Sequence, residues 1–356
     1  MDYYISDGMN VKIIEGKDFN HYFRKSDGLS LTWGKTKDDD PEFSPVGPLI
    51  ADIEIVKGCR GIRNKDGIRK VCPFCYKSNE PNDVDYMTFD NFKQILDKLP
   101  KSLGQIAFGV DAEANLNPDL EKILRYCREK YIIPNITIAD TDDNTTKMLA
   151  ELCGAIAVSY YPFQNKDICY NLIEKLTKKH GMKQVNIHCL VSAEMENSIY
   201  ELIEDIKTDR RLKYLNAVVF LSLKTKGRGD AHKRLSDEKY NDLVETLIES
   251  SIPFGFDSCS AFRFLNAIKH LPHLYEEYKT FAEPCESTRM SLYINEKCEF
   301  YPCSFTEKTG NWEKGINLLE IDDFLKDVWY NKNVKNTRKQ IISCNKCSKN
   351  CFYYEV

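Results

Sequence analysis

The sequence predicts an α/β protein built on a parallel sheet with crossover helices. From residue 51 to about residue 255, short β-branched runs alternate six times with segments whose apolar residues recur at helical spacing. Six β/α units form either an open doubly wound sheet or a curved, partly closed barrel, and both place chemistry at the carboxyl ends of the strands. The predicted strands are 52–56, 105–109, 136–139, 155–159, 185–191 and 217–223.

Each predicted strand is followed by a predicted helix. The first has apolar residues at offsets of 0, 3, 4 and 7 from Phe92 and ends at Pro100, and the second repeats those offsets from Leu120. This spacing places one apolar stripe of each helix against the sheet. The other four helices are predicted to begin near Asn144, Lys166, Asn197 and Ser236.

Charge and hydropathy exclude several classes of protein. The 356 residues include 50 basic and 54 acidic side chains, a formal net charge of -4 that gives no general attraction to nucleic acid or an anionic membrane. No apolar run approaches the roughly 18 residues that a membrane span needs. The first residues have no basic segment followed by an apolar one, so no secretory signal is predicted. We therefore expect a cytoplasmic protein without a nucleic-acid or membrane partner.

Cysteine is the unusual component, with 14 residues. In the reducing cytosol, clustered cysteines indicate metal binding or catalysis rather than disulfides. Nine are clustered, three near the front of the chain and six near its end. The other five stand singly among apolar residues and are predicted to be small buried hydrophobes: Cys127, Cys153, Cys169, Cys189 and Cys259.

The front group directly follows the first predicted strand. Cys59, Cys72 and Cys75 have the spacing C-x12-C-x2-C. A structural zinc site usually needs four ligands, whereas a 4Fe-4S cluster held by three cysteines leaves one iron open for a substrate or cofactor. The spacing favours such a cluster, and a zinc site completed by a distant ligand is the alternative.

This arrangement resembles the radical S-adenosylmethionine superfamily, whose members carry three cysteines after the first strand of a partial (β/α)6 TIM-type barrel. The usual spacing is C-x3-C-x2-C, so the first gap is wider here, but the aromatic Phe74 before the last cysteine is kept. The resemblance implies the partial barrel and S-adenosylmethionine chelated by the open iron. It also implies reductive cleavage of this cofactor to a 5′-deoxyadenosyl radical that abstracts a hydrogen atom from the substrate.

The resemblance also implies cofactor contacts. Glu113 falls where the family's Gly-Gly-Glu carboxylate meets the methionyl amino group, although Asp111 and Ala112 replace the glycines and Asp111 is a competing carboxylate. Ser159, at the end of the fourth strand, matches a serine that reaches the ribose or carboxylate of S-adenosylmethionine in family members. Phe74 is predicted to contact this cofactor as well. The basic turn 224–229 either contacts an anionic group or is a solvated turn.

The rear cysteines resemble the SPASM and twitch modules, in which a cysteine precedes a β-hairpin and a second follows Tyr-Pro. Cys298 stands where those modules have a turn glycine, so we expect a turn residue rather than a ligand. The resemblance implies one auxiliary 4Fe-4S cluster, and thus two clusters in all, with a four-cysteine zinc site as the alternative. Its ligands would be Cys285, Cys303, Cys344 and Cys347, with Cys351 as the alternate.

These features predict three domains: an N-terminal extension at 1–48, the core at 49–257 and the auxiliary module at 258–356. The resemblance implies an oxidoreductase or peptide-modifying enzyme acting on a peptide or protein side chain, with a flavodoxin- or ferredoxin-like electron donor. The alternatives are oxidation or rearrangement of a small sugar or cyclitol, and a non-catalytic zinc-binding interaction protein. The first 48 residues are too few for the winged-helix domain of about 80 residues that grips substrate in many relatives, so a peptide leader would be held elsewhere or by a separate partner.

Overall fold

A ten-stranded sheet organises the protein. The computed structural model describes residues 3–81, 83–109, 113–346 and 351, without the side chains of Gln164, Asn345 and Lys346. Seven consecutive strands of the sheet pair parallel with one another through the β/α units, and three strands from the C-terminal segment extend one edge. The seven strands are β5 (Ile50–Ile53), β10 (Gln105–Phe108), β11 (Ile133–Ile138), β12 (Ile156–Ser159), β13 (Val185–Val191), β14 (Ala217–Ser222) and β15 (Phe254–Phe256). Their spatial order is β15-β14-β13-β12-β11-β10-β5, and the additional strands β16 (Ser291–Ile294), β17 (Glu299–Tyr301) and β18 (Ile316–Asn317) follow β5.

Helices cross between the parallel strands. In the described part of the chain, the α-helices are α1 (Phe89–Lys98), α2 (Leu120–Glu129), α3 (Asp143–Leu152), α4 (Pro162–Glu174), α5 (Glu196–Thr208), α6 (Asp237–Ser250), α7 (Ala261–Ala267), α8 (Pro272–Lys279) and α9 (Lys332–Lys346). The Thr88, Asp142 and Ser236 side chains accept hydrogen bonds from the first-turn backbone N–H groups of α1, α3 and α6. These caps satisfy groups that otherwise lack intrahelical partners.

The six predicted β/α units are all present, with strand ends that differ from prediction by up to three residues. The largest differences are at β5, which ends at Ile53 rather than residue 56, and at β11, which begins three residues early at Ile133. Parallel pairing with both β10 and β16 fixes the position of β5. The seventh strand, β15, was not predicted, because three residues are too few to show a period.

The N-terminal segment forms its own sheet. Strands β1 (Tyr4–Asp7), β2 (Val11–Glu15), β3 (Asn20–Arg24) and β4 (Ser30–Trp33) pair antiparallel in chain order. Buried Lys12 and Lys25 both contact the Asp7 carboxylate, at 2.8 Å and 2.6 Å. Paired burial of this kind removes the cost of isolated charges.

The C-terminal segment continues the main sheet. Strand β16 pairs parallel with β5 from Ser291 to Ile294, and β17 and β18 follow antiparallel. One apolar core joins this segment to the β/α units and includes Tyr293, Phe300 and Trp329. The boundaries at residues 48 and 257 stay a prediction.

Candidate active site

A cavity of about 560 Å³ opens at the carboxyl ends of the parallel strands. This is the edge where α/β folds place their sites. Both predicted cysteine groups contribute to its wall, so one cavity adjoins residues that lie more than 200 positions apart in the sequence. The cysteines lining it are Cys59, Cys72, Cys75, Cys259, Cys285, Cys303 and Cys351.

The front loop begins at β6 (Val56–Lys57) and contains the small hairpin β7 (Ile62–Arg63) and β8 (Arg69–Lys70). The N–H of Gly61 donates to the Cys59 sulfur over 3.2 Å. Gly61 has φ of +84°, and a Cβ atom there would lie 2.5 Å from the Lys70 carbonyl carbon, so glycine is required. The hairpin thereby spans the twelve residues between the first two cysteines without moving them away from the cavity.

Burial is the main influence on the ionisation of Cys72. It raises the pKa of Cys72 to about 12, with a smaller contribution from Cys75 and an opposing one from the Tyr161 hydroxyl. Cys72 is therefore a neutral thiol at pH 7 in the absence of a bound cation. A metal ion bound at Cys72 would favour the thiolate, because its positive charge would oppose the effect of burial.

Glu113 is buried beneath this loop and is not among the described residues that line the cavity, so its contact with a cofactor stays a prediction. Its carboxylate accepts a 2.5 Å hydrogen bond from the N–H of Arg60 and one of 3.3 Å from the Arg69 guanidinium. It therefore holds the residue after Cys59 in place. Asp111, the competing carboxylate, lies outside the described residues.

Phe74 and Ser159 both line the cavity, and their contact with a cofactor stays a prediction. Ser159 is the last residue of β12. The ring of Phe74 lies 5.9 Å from that of Tyr161 and edge-on to Phe163 and His232, at 5.6 Å and 6.0 Å between centroids. An aromatic wall of this kind offers a flat apolar surface beside the three cysteines.

The structure places the rear cysteines at different positions relative to the cavity. Cys285 and Cys303 flank the β16–β17 hairpin and line the cavity with Cys351. Cys298 is fully buried in the hairpin turn with φ of 64°, which confirms the prediction of a turn residue. Cys344 lies on α9 and is not among the described residues that line the cavity, and Cys347 lies outside the described residues.

No three His, Cys, Asp or Glu side chains in the described ranges are grouped so as to hold a metal ion. An iron-sulfur cluster separates its thiolates farther than a single ion does, because irons and sulfides occupy the space between them. Both sets of thiols line one cavity, which is the kind of placement that such a larger group would need.

Sequence reasoning missed Cys259 as a cavity residue. The prediction that it is simply a buried hydrophobe is wrong, whereas the other four scattered cysteines are buried as expected. It follows β15, the strand too short to predict. The only available signal was its position a few residues after an apolar segment, which many buried cysteines share.

The basic turn 224–229 after β14 is held largely by contacts within the protein, and its first residue, Lys224, lines the cavity. Arg228 donates to the carbonyl of Cys72 over 2.9 Å and to the Glu80 carboxylate over 2.8 Å. The Lys226 ammonium donates to the carbonyls of Phe305 and Glu307, at 3.0 Å and 2.9 Å. The turn therefore ties the front cysteine loop to the segment after Cys303.

Asp52, His188 and Glu286 are among the other titratable groups that line the cavity. Burial raises the pKa of Asp52 to about 6 and lowers that of His188 to about 4. The pKa of Glu286 is raised to about 7, first by burial and then by Glu283 and Asp52. At neutral pH, Glu286 can therefore hold or release a proton at the cavity wall, which is a property of acid and base groups in active sites.

Solved structures share this fold. The chain resembles Streptococcus suis SuiB bound to S-adenosylmethionine, with a TM-score of 0.62, 16% identity, and coverage of 83% of this chain and 68% of SuiB. Its fold is similar to that of SuiB. For SuiB bound to its precursor peptide SuiA, the TM-score is 0.61 at 14% identity, and the match covers 94% of this chain and 90% of SuiB.

Sequence comparison adds nothing to this structural likeness. Neither the known protein families nor the curated proteins contain a match to the chain. In the described part of the chain, no helix has both the length and the apolar character that crossing a membrane would require.

Proposed function

We propose that this protein is a radical S-adenosylmethionine enzyme that modifies a peptide or protein side chain. The observation that carries the proposal is the cysteine loop after β6, whose three thiols line the cavity at the carboxyl edge of the parallel sheet. Support also comes from the fold, which is shared with a protein seen bound to S-adenosylmethionine and to a precursor peptide.

Cys59, Cys72 and Cys75 are the proposed ligands of the first 4Fe-4S cluster. Such a cluster, when bound, supplies the electron that cleaves S-adenosylmethionine reductively. The protein holds the thiols around the cavity through the Gly61 N–H and the Arg228 guanidinium. The apolar wall at Phe74 and the buried Cys72 restrict water at the same place.

Glu113, Phe74 and Ser159 are the proposed contacts of the cofactor. Glu113 is buried one loop away from the cysteines, with its charge directed at Arg60 and Arg69. An ammonium group of the cofactor would share or replace the 3.3 Å Arg69 contact, which is the longer of the two hydrogen bonds to this carboxylate. Glu113 would thus join the cofactor to the loop that bears Cys59.

A second, auxiliary 4Fe-4S cluster is proposed at the rear group, in a SPASM- or twitch-like module. Cys285 and Cys303 line the same cavity as the three front cysteines. The sequence predicts that Cys344 and Cys347 complete the set, with Cys351 as the alternate. A flavodoxin- or ferredoxin-like protein in the cytoplasm is the proposed electron donor.

The test of the proposed function is the metal content of protein purified without oxygen. Two 4Fe-4S clusters require about eight irons and eight sulfides per chain. With dithionite, this protein should convert S-adenosylmethionine to 5′-deoxyadenosine. Stoichiometric zinc with negligible sulfide would contradict the proposal and favour the zinc-binding interaction protein instead.

Glu113→Gln is expected to weaken S-adenosylmethionine binding by about ten-fold or more. A charge-assisted hydrogen bond between an ammonium and a carboxylate contributes roughly 1.5 to 3 kcal/mol, and the amide retains an acceptor for the Arg60 N–H. Anaerobic titration with the cofactor measures the change, and iron content should stay constant.

The matched control for this substitution is Glu80→Gln. Glu80 also pairs with an arginine, Arg228, beside the front loop, but its side chain is 61% exposed. This variant should bind the cofactor as the unmodified protein does. Equal losses in both variants would show that loop disturbance, rather than a contact with the cofactor, is the cause.

A further inference from the structure

Cys259 belongs to a group of four thiols at one end of the cavity. All four line the cavity: Cys259, Cys285, Cys303 and Cys351. Burial raises the pKa of Cys259 well above its ordinary value. Asp257, Cys285 and Cys351 raise it further, whereas the positive charge of Lys224 lowers it. Cys351 also raises the pKa of Cys285 and that of Cys303, and Cys303 raises the pKa of Cys285. Each thiol therefore has at least two of the others as electrostatic neighbours.

The turn that carries Cys259 is fixed by its own contacts. The Asp257 carboxylate accepts from the Ser222 N–H over 3.0 Å and from the Ser260 hydroxyl over 2.6 Å. The first bond joins the end of β14 to the residue after β15, and the second closes the turn that contains the cysteine. A ligand held on such a turn is positioned before a metal arrives, which lowers the entropic cost of binding.

Lys224 supplies a buried positive charge at the same place. Its side chain is 1% exposed, and its ammonium lies 3.5 Å from Asp257, 3.2 Å from the Ser222 carbonyl and 5.0 Å from the centre of the Phe305 ring. The Lys224 ammonium also forms a hydrogen bond with Cys259. Burial lowers the pKa of Lys224, but Asp257, Cys259 and Cys351 outweigh burial and raise it above its ordinary value. Four thiolates around a cluster carry net negative charge, and a buried cation offsets part of it.

We propose that Cys259 is a ligand of the auxiliary cluster, together with Cys285, Cys303 and Cys351, and that Lys224 lies beside this cluster as its charge partner. The inference rests on the proposed function, since it assigns ligands to the auxiliary cluster named there. It revises the set predicted from the sequence, in which Cys344 and Cys347 were the third and fourth ligands. Each of the four thiols gives up its proton on binding iron.

The test removes one cysteine at a time from protein that already carries Cys59→Ala, Cys72→Ala and Cys75→Ala, so that only the auxiliary cluster remains. We expect about four irons and four sulfides in this parent. Adding Cys259→Ala should reduce both to less than half and abolish the cluster signal in electron paramagnetic resonance of the reduced protein. Adding Cys344→Ala, or the control Cys189→Ala, should leave both unchanged. Cys189 is fully buried in β13 and does not line the cavity in the described part of the chain.

A conservative variant separates ligation from folding. Cys259→Ser retains the size of the side chain and can bind iron through oxygen, so it should keep the fold by circular dichroism and shift the resonance signal rather than abolish it. Full iron with an unchanged signal in both Cys259 variants would overturn the inference, as would loss of the cluster in Cys344→Ala alone. A parent without iron and sulfide would overturn the auxiliary cluster itself. A parent with four irons, but wild-type protein that does not cleave S-adenosylmethionine, would contradict the proposed function and not the ligand assignment.

Lys224→Met tests the charge partner independently. Removal of a cation beside the cluster makes its reduction harder, so the midpoint potential of the auxiliary cluster should become more negative while iron content is kept. Lys98→Met is the control, because the Lys98 ammonium donates to the Leu318 and Leu319 carbonyls, at 3.0 Å and 2.7 Å, and Lys98 does not line the cavity in the described part of the chain. An unchanged potential in Lys224→Met would remove Lys224 from the proposal.

Discussion

Simultaneous replacement of Cys59, Cys72 and Cys75 with Ala is expected to abolish the reductive cleavage of S-adenosylmethionine. With these thiols absent, no iron with an open position remains at the cavity. The iron and sulfide contents should fall from about eight to about four per chain, because the rear cysteines are unchanged. Dithionite reduction followed by quantification of 5′-deoxyadenosine measures the first effect, and elemental analysis measures the second.

The matched control is the triple variant Cys127→Ala, Cys153→Ala and Cys169→Ala. These cysteines are buried in the apolar core and are distant from the cavity wall in the described part of the chain. The control should lose some stability but keep its iron and its activity. Continued formation of 5′-deoxyadenosine by the front variant would show that the site lies elsewhere.

Lys77→Met is expected to destabilise the fold by about 3 to 5 kcal/mol, which is the usual effect of removing one partner from a buried ion pair. Lys77 lies two residues after Cys75, and its ammonium is 2.9 Å from the carboxylate of Glu54 on the segment after β5. It also contacts the Glu307 carboxylate and donates to the Tyr293 hydroxyl over 2.9 Å. Met would leave two buried carboxylates without their cation.

The charge balance of this network explains the size of the expected effect. Burial alone would lower the pKa of Lys77, but Glu54 and Glu307 outweigh burial and raise it. In return, Lys77 holds the pKa of Glu307 below its ordinary value although burial acts in the opposite direction. The network thus joins the front cysteine loop, β5 and the segment after Cys303 through one cation.

Denaturant unfolding under anaerobic conditions, followed by tryptophan fluorescence, measures the loss. Lys57→Met is the control, because Lys57 pairs with Asp83 at 2.6 Å with side-chain exposures of 29% and 70%. An exposed pair of this kind contributes about 0 to 1 kcal/mol, so the control should unfold close to the unmodified protein. Equal midpoints for Lys77→Met and Lys57→Met would contradict the role assigned to the network.

The sequence by itself determined the order of the β/α units and the location of the front loop. The apolar periodicity predicts these helices because each crossover helix must bury one apolar stripe against the sheet. In α1, this stripe contains Phe92, Ile95 and Leu96. The spacing of Cys59, Cys72 and Cys75 places three thiols after a predicted strand. Parallel strands end at one edge, so a cavity at that edge follows from the pattern.

Only the tertiary structure decided which distant residues share the site. The order of the strands in the sheet brings Cys259 and Lys224 near Cys285 and Cys351. This order depends on pairing between distant strands, which the periodicity of a local segment does not predict. The same holds for β16, which pairs parallel with β5 in the main sheet although the two strands lie more than 200 positions apart in the sequence.

The buried ion network shows the physical reason most directly. Tyr293 and Glu54 are hydrogen-bonded although 239 positions separate them in the sequence, and Lys77 lies 230 positions from Glu307. A charged residue read in its own neighbourhood is expected to be solvated, since isolated charges avoid burial. It becomes buried only when folding brings the opposite charge beside it. Local sequence therefore predicted the elements and the front cysteines, whereas long-range pairing determined the rest of the cavity wall.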